Sequence, residues 1–131
     1  MTFDIRRMVV VFCAALAVAV GAGAAAEPIR AAASRKDIDR WFAARAHIDF
    51  SRQQRWAFSF FAADGRELEA LSVALVREGY AIAALEGGSA PKLTVVKTEL
   101  NSPGRIEERG RSLGELARRR GATYVGCDLV F

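Results

Sequence analysis

The chain has 131 residues, of which 52% are hydrophobic and 26% are charged, and its formal net charge is +4. This size and composition fit one small globular domain and argue against a long disordered chain. The net charge is too small for non-specific electrostatic binding of nucleic acid, which needs Lys and Arg gathered on one face. The one basic cluster is Arg118 to Arg120. Because that cluster ends a predicted helix, a solvated helix end that complements the helix dipole explains it better than a phosphate site.

The N-terminus has the pattern of a secretory signal. Residues 8–26 form an uncharged run rich in Ala and Val, preceded by Arg6 and Arg7 and ending in three alanines. This pattern predicts a signal peptide over residues 1–26, cleaved before Glu27, and therefore an exported, periplasmic protein. The alternative is an uncleaved anchor in the inner membrane, since about 20 apolar residues can span a bilayer.

Cysteine and histidine usage bears on disulfides and metals. The sequence has two cysteines and one histidine. Cys13 lies in the apolar run, so cleavage would leave Cys127 alone and exclude an internal disulfide. His47 has no second His or Cys at metal-ligand spacing, so we expect no metal site and no cofactor.

Residues 27–54 are predicted to form a linker followed by an amphipathic helix. The small, unpatterned residues Pro28 to Ala33 are typical of a linker. Ser34 can cap a helix that runs to roughly Asp49, because apolar residues then recur at helical spacing, at Ile38, Trp41, Phe42 and Ile48. This helix either packs on its own domain or docks on a partner. The first is favoured, since an exposed Trp and Phe would promote aggregation.

Residues 55–131 are predicted to form two successive strand, helix, strand units, in the order β-α-β-β-α-β. In the first unit, Asp64 caps the helix and Gly79 ends it, and the predicted buried stripe is Leu68, Leu71, Leu75 and Val76. A loop at residues 87–91 joins the two units as a hairpin. In the second unit, Ser102 caps the helix, Pro103 takes its first position and Gly121 ends it.

The first strand, Trp56 to Ala62, carries large side chains on both faces. Trp56, Phe58 and Phe60 point one way, while Ala57, Ser59 and Phe61 point the other. This pattern indicates a central strand that is covered on both sides. Two helices cover one side, and the amphipathic helix is the nearest candidate to cover the other.

Two right-handed crossovers, each skipping one strand position, predict a four-stranded antiparallel sheet of order 4-1-3-2 with both domain helices on one face. The fold class is therefore α+β, with an extra N-terminal amphipathic helix.

The C-terminal sequence LARRRGATYVGCDL and the helix in ELNSPGRIEERGRSLGELA, with the β-α-β before them, resemble the regulator of ribonuclease E activity B family. The positions that fit the family's C-terminal pattern are Gly121, Tyr124, Gly126 and Asp128. Val125 stands where that pattern has Asp, and Cys127 where it has Trp. The resemblance implies a ferredoxin-like sandwich and an inhibitor that binds an endoribonuclease and so changes RNA turnover.

The sequence favours a non-catalytic regulatory module that binds a protein partner whose identity is open. The candidate partner-binding residues are Trp41, Phe42, Trp56, Phe58, Phe60, Tyr124 and Asp128. One alternative is an RNA-binding sheet that stacks bases on Phe58, Phe60 and Tyr124. Another is a small enzyme that uses Asp128, Glu99 or His47 for acid-base work, but nothing in the sequence brings two of them together. We therefore expect no enzymatic activity.

Overall fold

The structure is a computed structural model that describes residues 27–131. The predicted signal peptide or membrane anchor over residues 1–26 lies outside the described residues. Within residues 27–131, no helix is long and apolar enough to cross a membrane.

In the described part, strands and helices follow one another in the order β-α-β-α-β-β-α-β. The helices are α1 (Arg35–Ala43), α2 (Gly65–Arg77) and α3 (Pro103–Arg119). The strands are β1 (Ile29–Arg30), β2 (Gln54–Ala62), β3 (Ala81–Glu86), β4 (Lys92–Glu99) and β5 (Ala122–Leu129).

The predicted helix caps are confirmed. Ser34 and Asp37 form a capping box, in which each side chain accepts a hydrogen bond from the other residue's backbone N–H. Asp64 and Ser102 cap α2 and α3 by the same kind of bond. Beyond the ends of α2 and α3, the φ angles of Gly79 and Gly121 are +94° and +73°, the left-handed region that glycine favours.

The first helix is shorter than predicted, because α1 ends at Ala43 rather than near Asp49. The Arg45 guanidinium turns back and donates a hydrogen bond of 3.0 Å to the carbonyl oxygen of Trp41. The Arg45 side chain thus provides a donor for a carbonyl oxygen that has no backbone partner at the helix end, and the helix ends there.

All strands of the described part lie in one antiparallel sheet of order β1-β5-β2-β4-β3. The prediction of four strands is wrong in number, because Ile29 and Arg30 add β1 beside β5. The four predicted strands keep their relative order within the five, and β2 is central as predicted. The α+β class is confirmed.

The prediction that Pro28 to Ala33 form a linker is wrong for Ile29 and Arg30, which form β1. Ile29 pairs with Cys127 and is only 5% exposed, and the N–H of Ala31 donates to the carbonyl oxygen of Val125 at 2.9 Å. Burying one isoleucine and forming these backbone hydrogen bonds fixes a segment in which no sequence pattern is visible.

A β-bulge in β5 shapes the surface next to β1. The pairing with β2 shifts between Ser59, opposite Gly126, and Phe60, opposite Tyr124, so Val125 is the extra residue. A Cβ atom on Gly126 would lie 2.3 Å from the carbonyl oxygen of Ile29. Only glycine lets β1 approach this closely, and Val125 is left 43% exposed.

The core face of the sheet is the face that carries Trp56, Phe58 and Phe60, all 0% exposed. Helix α1 lies on it, since the ring centroids of Trp41 and Trp56 are 5.6 Å apart. The packing of α1 on its own domain is therefore confirmed.

Helices α2 and α3 lie on the same face. Lys97 is opposite Trp56 in the sheet, and its Nζ donates to the carbonyl oxygen of Glu78 at the end of α2. Tyr124 is opposite Phe60, and its ring lies 3.9 Å from the position of a Cβ on Gly110 in α3. Residues directly opposite each other in an antiparallel pair share a face, so all three helices form one layer.

The predicted role of α1 as the cover of the second face is therefore wrong. The second face carries Ala57, Ser59 and Phe61 of β2, and no helix of residues 27–131 lies on it. We call it the helix-free face. The prediction that β2 is covered on both sides fails at Phe61, which is 51% exposed.

Candidate functional site

Most of the predicted partner-binding residues lie in the core. Trp41, Trp56, Phe58, Phe60 and Tyr124 are all at most 6% exposed. They cannot contact a partner or stack on RNA bases while the three helices cover them. The predicted partner-binding role and the alternative base-stacking role are therefore both wrong for these buried aromatics.

Phe42 belongs to the same packing as the buried aromatics. It is half-buried, and its ring centroid lies 5.3 Å from that of Trp41 and 4.6 Å from that of Phe50. Phe50 also packs on Trp56, at 6.2 Å. This cluster holds α1 and the loop after it against β2, and it explains the apolar periodicity of the N-terminal helix by packing.

Trp41 and Arg45 also hold the start of the described chain. Trp41 Nε1 donates to the carbonyl oxygen of Glu27 at 2.7 Å, and Arg45 Nη2 donates to the same oxygen at 3.0 Å. The Arg45 guanidinium carbon lies 3.6 Å from the centroid of the Trp41 ring, a cation–π contact. Residues 27–30 are thus tied to α1 by side chains as well as to β5 by the sheet.

Asp128 is the predicted site residue that lies on the helix-free face, where it pairs with Ala57. It is half-buried, and its Oδ1 accepts a hydrogen bond of 2.8 Å from the N–H of Leu129. Burial raises the pKa of Asp128 to about 6, against the lowering effects of that hydrogen bond and of the Arg45 charge. Its charge therefore changes just below neutral pH.

The helix-free face also contains a groove of about 450 Å³. Residues that line it are Pro28, Arg30, Ala31, Ser59, Lys92 and Val125. Ser59 is 3% exposed, and its buried hydroxyl oxygen has no hydrogen-bond partner among the described residues. Phe61, which pairs with Lys92 at the end of the groove, is exposed. Ser59, Phe61 and Val125 are absent from the predicted set, although the alternation of β2 already placed the first two opposite Trp56.

A second polar arrangement lies between α3 and the sheet. Glu99 is 7% exposed and accepts hydrogen bonds from Arg109 Nη2 at 2.5 Å and from Asn101 Nδ2 at 2.9 Å. Arg109 Nη1 reaches the Tyr80 hydroxyl at 2.5 Å, and burial raises the pKa of Tyr80 to about 12. The carboxylate is engaged by both partners, so this arrangement ties α3 to β4 and leaves no free base. The hydrogen-bonded residues are far apart in the sequence, so no local sequence pattern predicts that they meet.

The remaining chemically reactive side chains do not converge. Burial raises the pKa of the Cys127 thiol to about 12. His47 is exposed after α1, Glu99 is under α3, and Asp128 is on the other side of the sheet. Between Glu27 and Phe131 there is no group of three or more His, Cys, Asp or Glu that could hold a metal ion.

The geometry defines an α+β protein whose sheet has one face covered by helices and one helix-free face with a groove. No protein-family model matches the chain, and a search of curated proteins finds no relative.

Proposed function

We propose that this chain is a non-catalytic regulatory module that binds a protein partner on its helix-free face. The observation that carries the proposal is the pair of exposed apolar side chains, Phe61 and Val125, beside a groove on the same face. Exposed apolar side chains next to a concave surface with a few polar groups are typical of interaction sites.

The chemistry of the face favours an acidic, partly apolar peptide segment as the bound element. An apolar side chain of the partner would lie between Phe61 and Val125. Arg30 and Arg55 are exposed on the same face and would attract carboxylates. The Asp128 carboxylate opposes this attraction more strongly once it ionises.

RNA is a poorer fit to the same face. Modules that bind RNA on a sheet stack several bases on aromatic side chains. The central positions of β2 on the helix-free face are Ala57 and Ser59, and Phe61 stands alone at the end of the strand.

We also propose that the module is exported and acts on a partner outside the cytoplasm. The basic, apolar and small-residue sequence of residues 1–26 supports export. The resemblance to the ribonuclease E regulator family supports a regulatory role, and a two-layer α+β sandwich, with one layer of helices on one sheet, is compatible with the ferredoxin-like class of that family. A periplasmic chain would not meet a cytoplasmic endoribonuclease, so we expect a different partner.

N-terminal sequencing and fractionation of the chain made in its native host test the export proposal. The expected result is a periplasmic chain that begins at Glu27. An intact Met1 in the soluble cytoplasm would contradict export and would restore an endoribonuclease as the expected partner.

Affinity capture from native extract with matched variants tests the binding proposal. Phe61→Asp should lower recovery of the partner about tenfold or more, as expected for an apolar anchor at the centre of an interface. Leu100→Asp is the matched control, because Leu100 is 43% exposed and lies in the connection between β4 and α3. If Phe61→Asp and Val125→Asp both recover as much partner as the parent chain does, at unchanged melting temperatures, the proposal is contradicted.

A further inference from the structure

Side chains at the centre of the helix-free face are buried, although no helix of residues 27–131 lies on that face. On the other face the helices explain the burial, since Leu68, Leu71 and Leu75 of α2 are buried there. Val76 corrects the predicted buried stripe of α2, because it is 50% exposed. The buried central residues of the helix-free face, each at most 6% exposed, are Ala57, Ser59, Ala84, Thr94 and Val96. We call them the central band.

The strands themselves do not account for the burial of the central band. Val96 has Ala57 on one side and Ala81 on the other. Alanine is shorter than valine, so these two neighbours cannot shield the Val96 side chain, yet Val96 is only 6% exposed. Ala84 lies on β3, at the edge of the sheet, and is 0% exposed. Such burial is typical of a sheet face that a further segment covers.

The central band lines up across the sheet and points to β1. Ala84 of β3 is opposite Thr94 of β4, and Thr94 is opposite Ser59 of β2. Ser59 is opposite Gly126 of β5, which in turn is opposite Arg30 of β1. A segment that covers the band would therefore run across the strands, between the β1 edge and the β3 edge.

The apolar run at residues 8–26 leads directly to the β1 end of this line. Glu27, which follows the run, lines the groove, and its carbonyl oxygen is held by Trp41 and Arg45. Even as an α-helix, which is far shorter than an extended strand, the run would be about 28 Å long, whereas five strands are only about 19 Å across. The run is therefore long enough to reach β3 from Glu27.

We propose that in the unprocessed chain, which keeps residues 1–26, the apolar run lies across the central band. Contact between them removes the apolar surface of both from water, which favours their association. The run is rich in Ala, Val and Gly, and the band consists of Ala, Ser, Thr and Val, so small side chains on both sides allow close packing. Because the run belongs to the same chain, it meets the band at a high effective concentration.

Cleavage before Glu27 would then uncover the central band beside the exposed Phe61 and Val125. The processed chain would present its partner with a larger apolar surface than the unprocessed chain does. This consequence rests on the proposed function, and it makes removal of the run the step that opens the site. The contact itself rests on the burial of the band, so it can be tested apart from partner binding.

Thiol labelling with iodoacetamide tests whether the run covers the band. Val96→Cys places a thiol in the band, and Leu100→Cys is the control, because Leu100 is 43% exposed. In the full chain, position 96 should be labelled about tenfold or more slower than position 100, and in the processed chain from the native host the two rates should agree within about threefold. Mass spectrometry of peptides separates these positions from Cys13 and Cys127. Equal rates in the full chain, or slow labelling of position 96 in both chains, overturn the proposal.

Disulfide formation with the native Cys13, which lies in the run, locates the contact in the full chain and needs no cleavage. Mild oxidation of Ala57→Cys or Ala84→Cys should join at least one of these band positions to Cys13 within the same molecule. Val73→Cys is the control, because Val73 is 53% exposed on α2, and it should give no such bond. A bond from neither band position, or an equal yield from position 73, overturns the proposal. Failure of partner capture at Phe61 would leave this result intact, so the two proposals fail separately.

Discussion

At Gly126 the backbone of β5 touches the backbone of β1. A Cβ atom there would lie 2.3 Å from the carbonyl oxygen of Ile29, and the φ angle of +153° is one that other residues rarely adopt. Gly126→Ala should therefore detach β1 and lower the free energy of unfolding by about 2 to 4 kcal/mol, from backbone strain and lost burial of Ile29.

Hydrogen exchange at the Ala31 amide, which donates to the Val125 carbonyl, reports on β1 directly. Protection of this amide should fall in Gly126→Ala and persist in the control Thr123→Ala, since Thr123 is exposed on the same strand. Equal protection in both variants would show that β1 does not need glycine at this position.

Asp128 makes folding sensitive to pH. Its pKa is raised from 3.8 to about 6 in the folded chain. Between these values the folded state holds more protons than the unfolded state, so stability falls as pH rises from about 4 to 6 and then stays lower.

Asp128→Asn should remove this loss and raise the free energy of unfolding by about 1 to 2 kcal/mol above pH 6, less than the full two-unit shift because Asp128 is partly exposed. The parent and the variant should coincide near pH 4. Urea unfolding at several pH values measures both, and a variant less stable than the parent at pH 7.5 would mean that the ionised carboxylate contributes to folding.

At the scale of the elements, α1 is held by its aromatic side chains. Trp41 is 6% exposed, packs on Trp56 and donates to the Glu27 carbonyl. Trp41→Ala should lower the free energy of unfolding by about 3 to 5 kcal/mol, the usual range for a buried tryptophan. Trp41→Phe, which keeps ring contacts but loses the Nε1 donor, should cost less. A loss below about 1 kcal/mol in Trp41→Ala would mean that α1 contributes little to this core.

What could be predicted from the sequence follows the range of the interaction. Helix caps such as Ser102 and the glycine at position 121 act within a few residues, so their signals are local. The alternation of β2 correctly separated Trp56 from Phe61. Periodicity shows that Trp41 is buried but does not show against which face, and the two residues of β1 are too few to form a pattern. The candidate site was missed because the sequence does not show which face of β2 the helices cover, the face with Trp56 or the face with Phe61.

At the scale of the whole molecule, residues 27–131 are organised by the division of their sheet into a helix-covered face and a helix-free face. If function follows this division, a partner meets the chain at Phe61 and not on the outer surface of α3. Photo-crosslinking in the native host is the most direct measurement, with p-benzoylphenylalanine placed at Phe61 in one strain and at Arg111, exposed on α3, in another. We expect a discrete crosslinked product with a different protein from position 61, lost when Val125→Asp is added, and none from position 111. No product at position 61, or the same product from both positions, would contradict binding on the helix-free face.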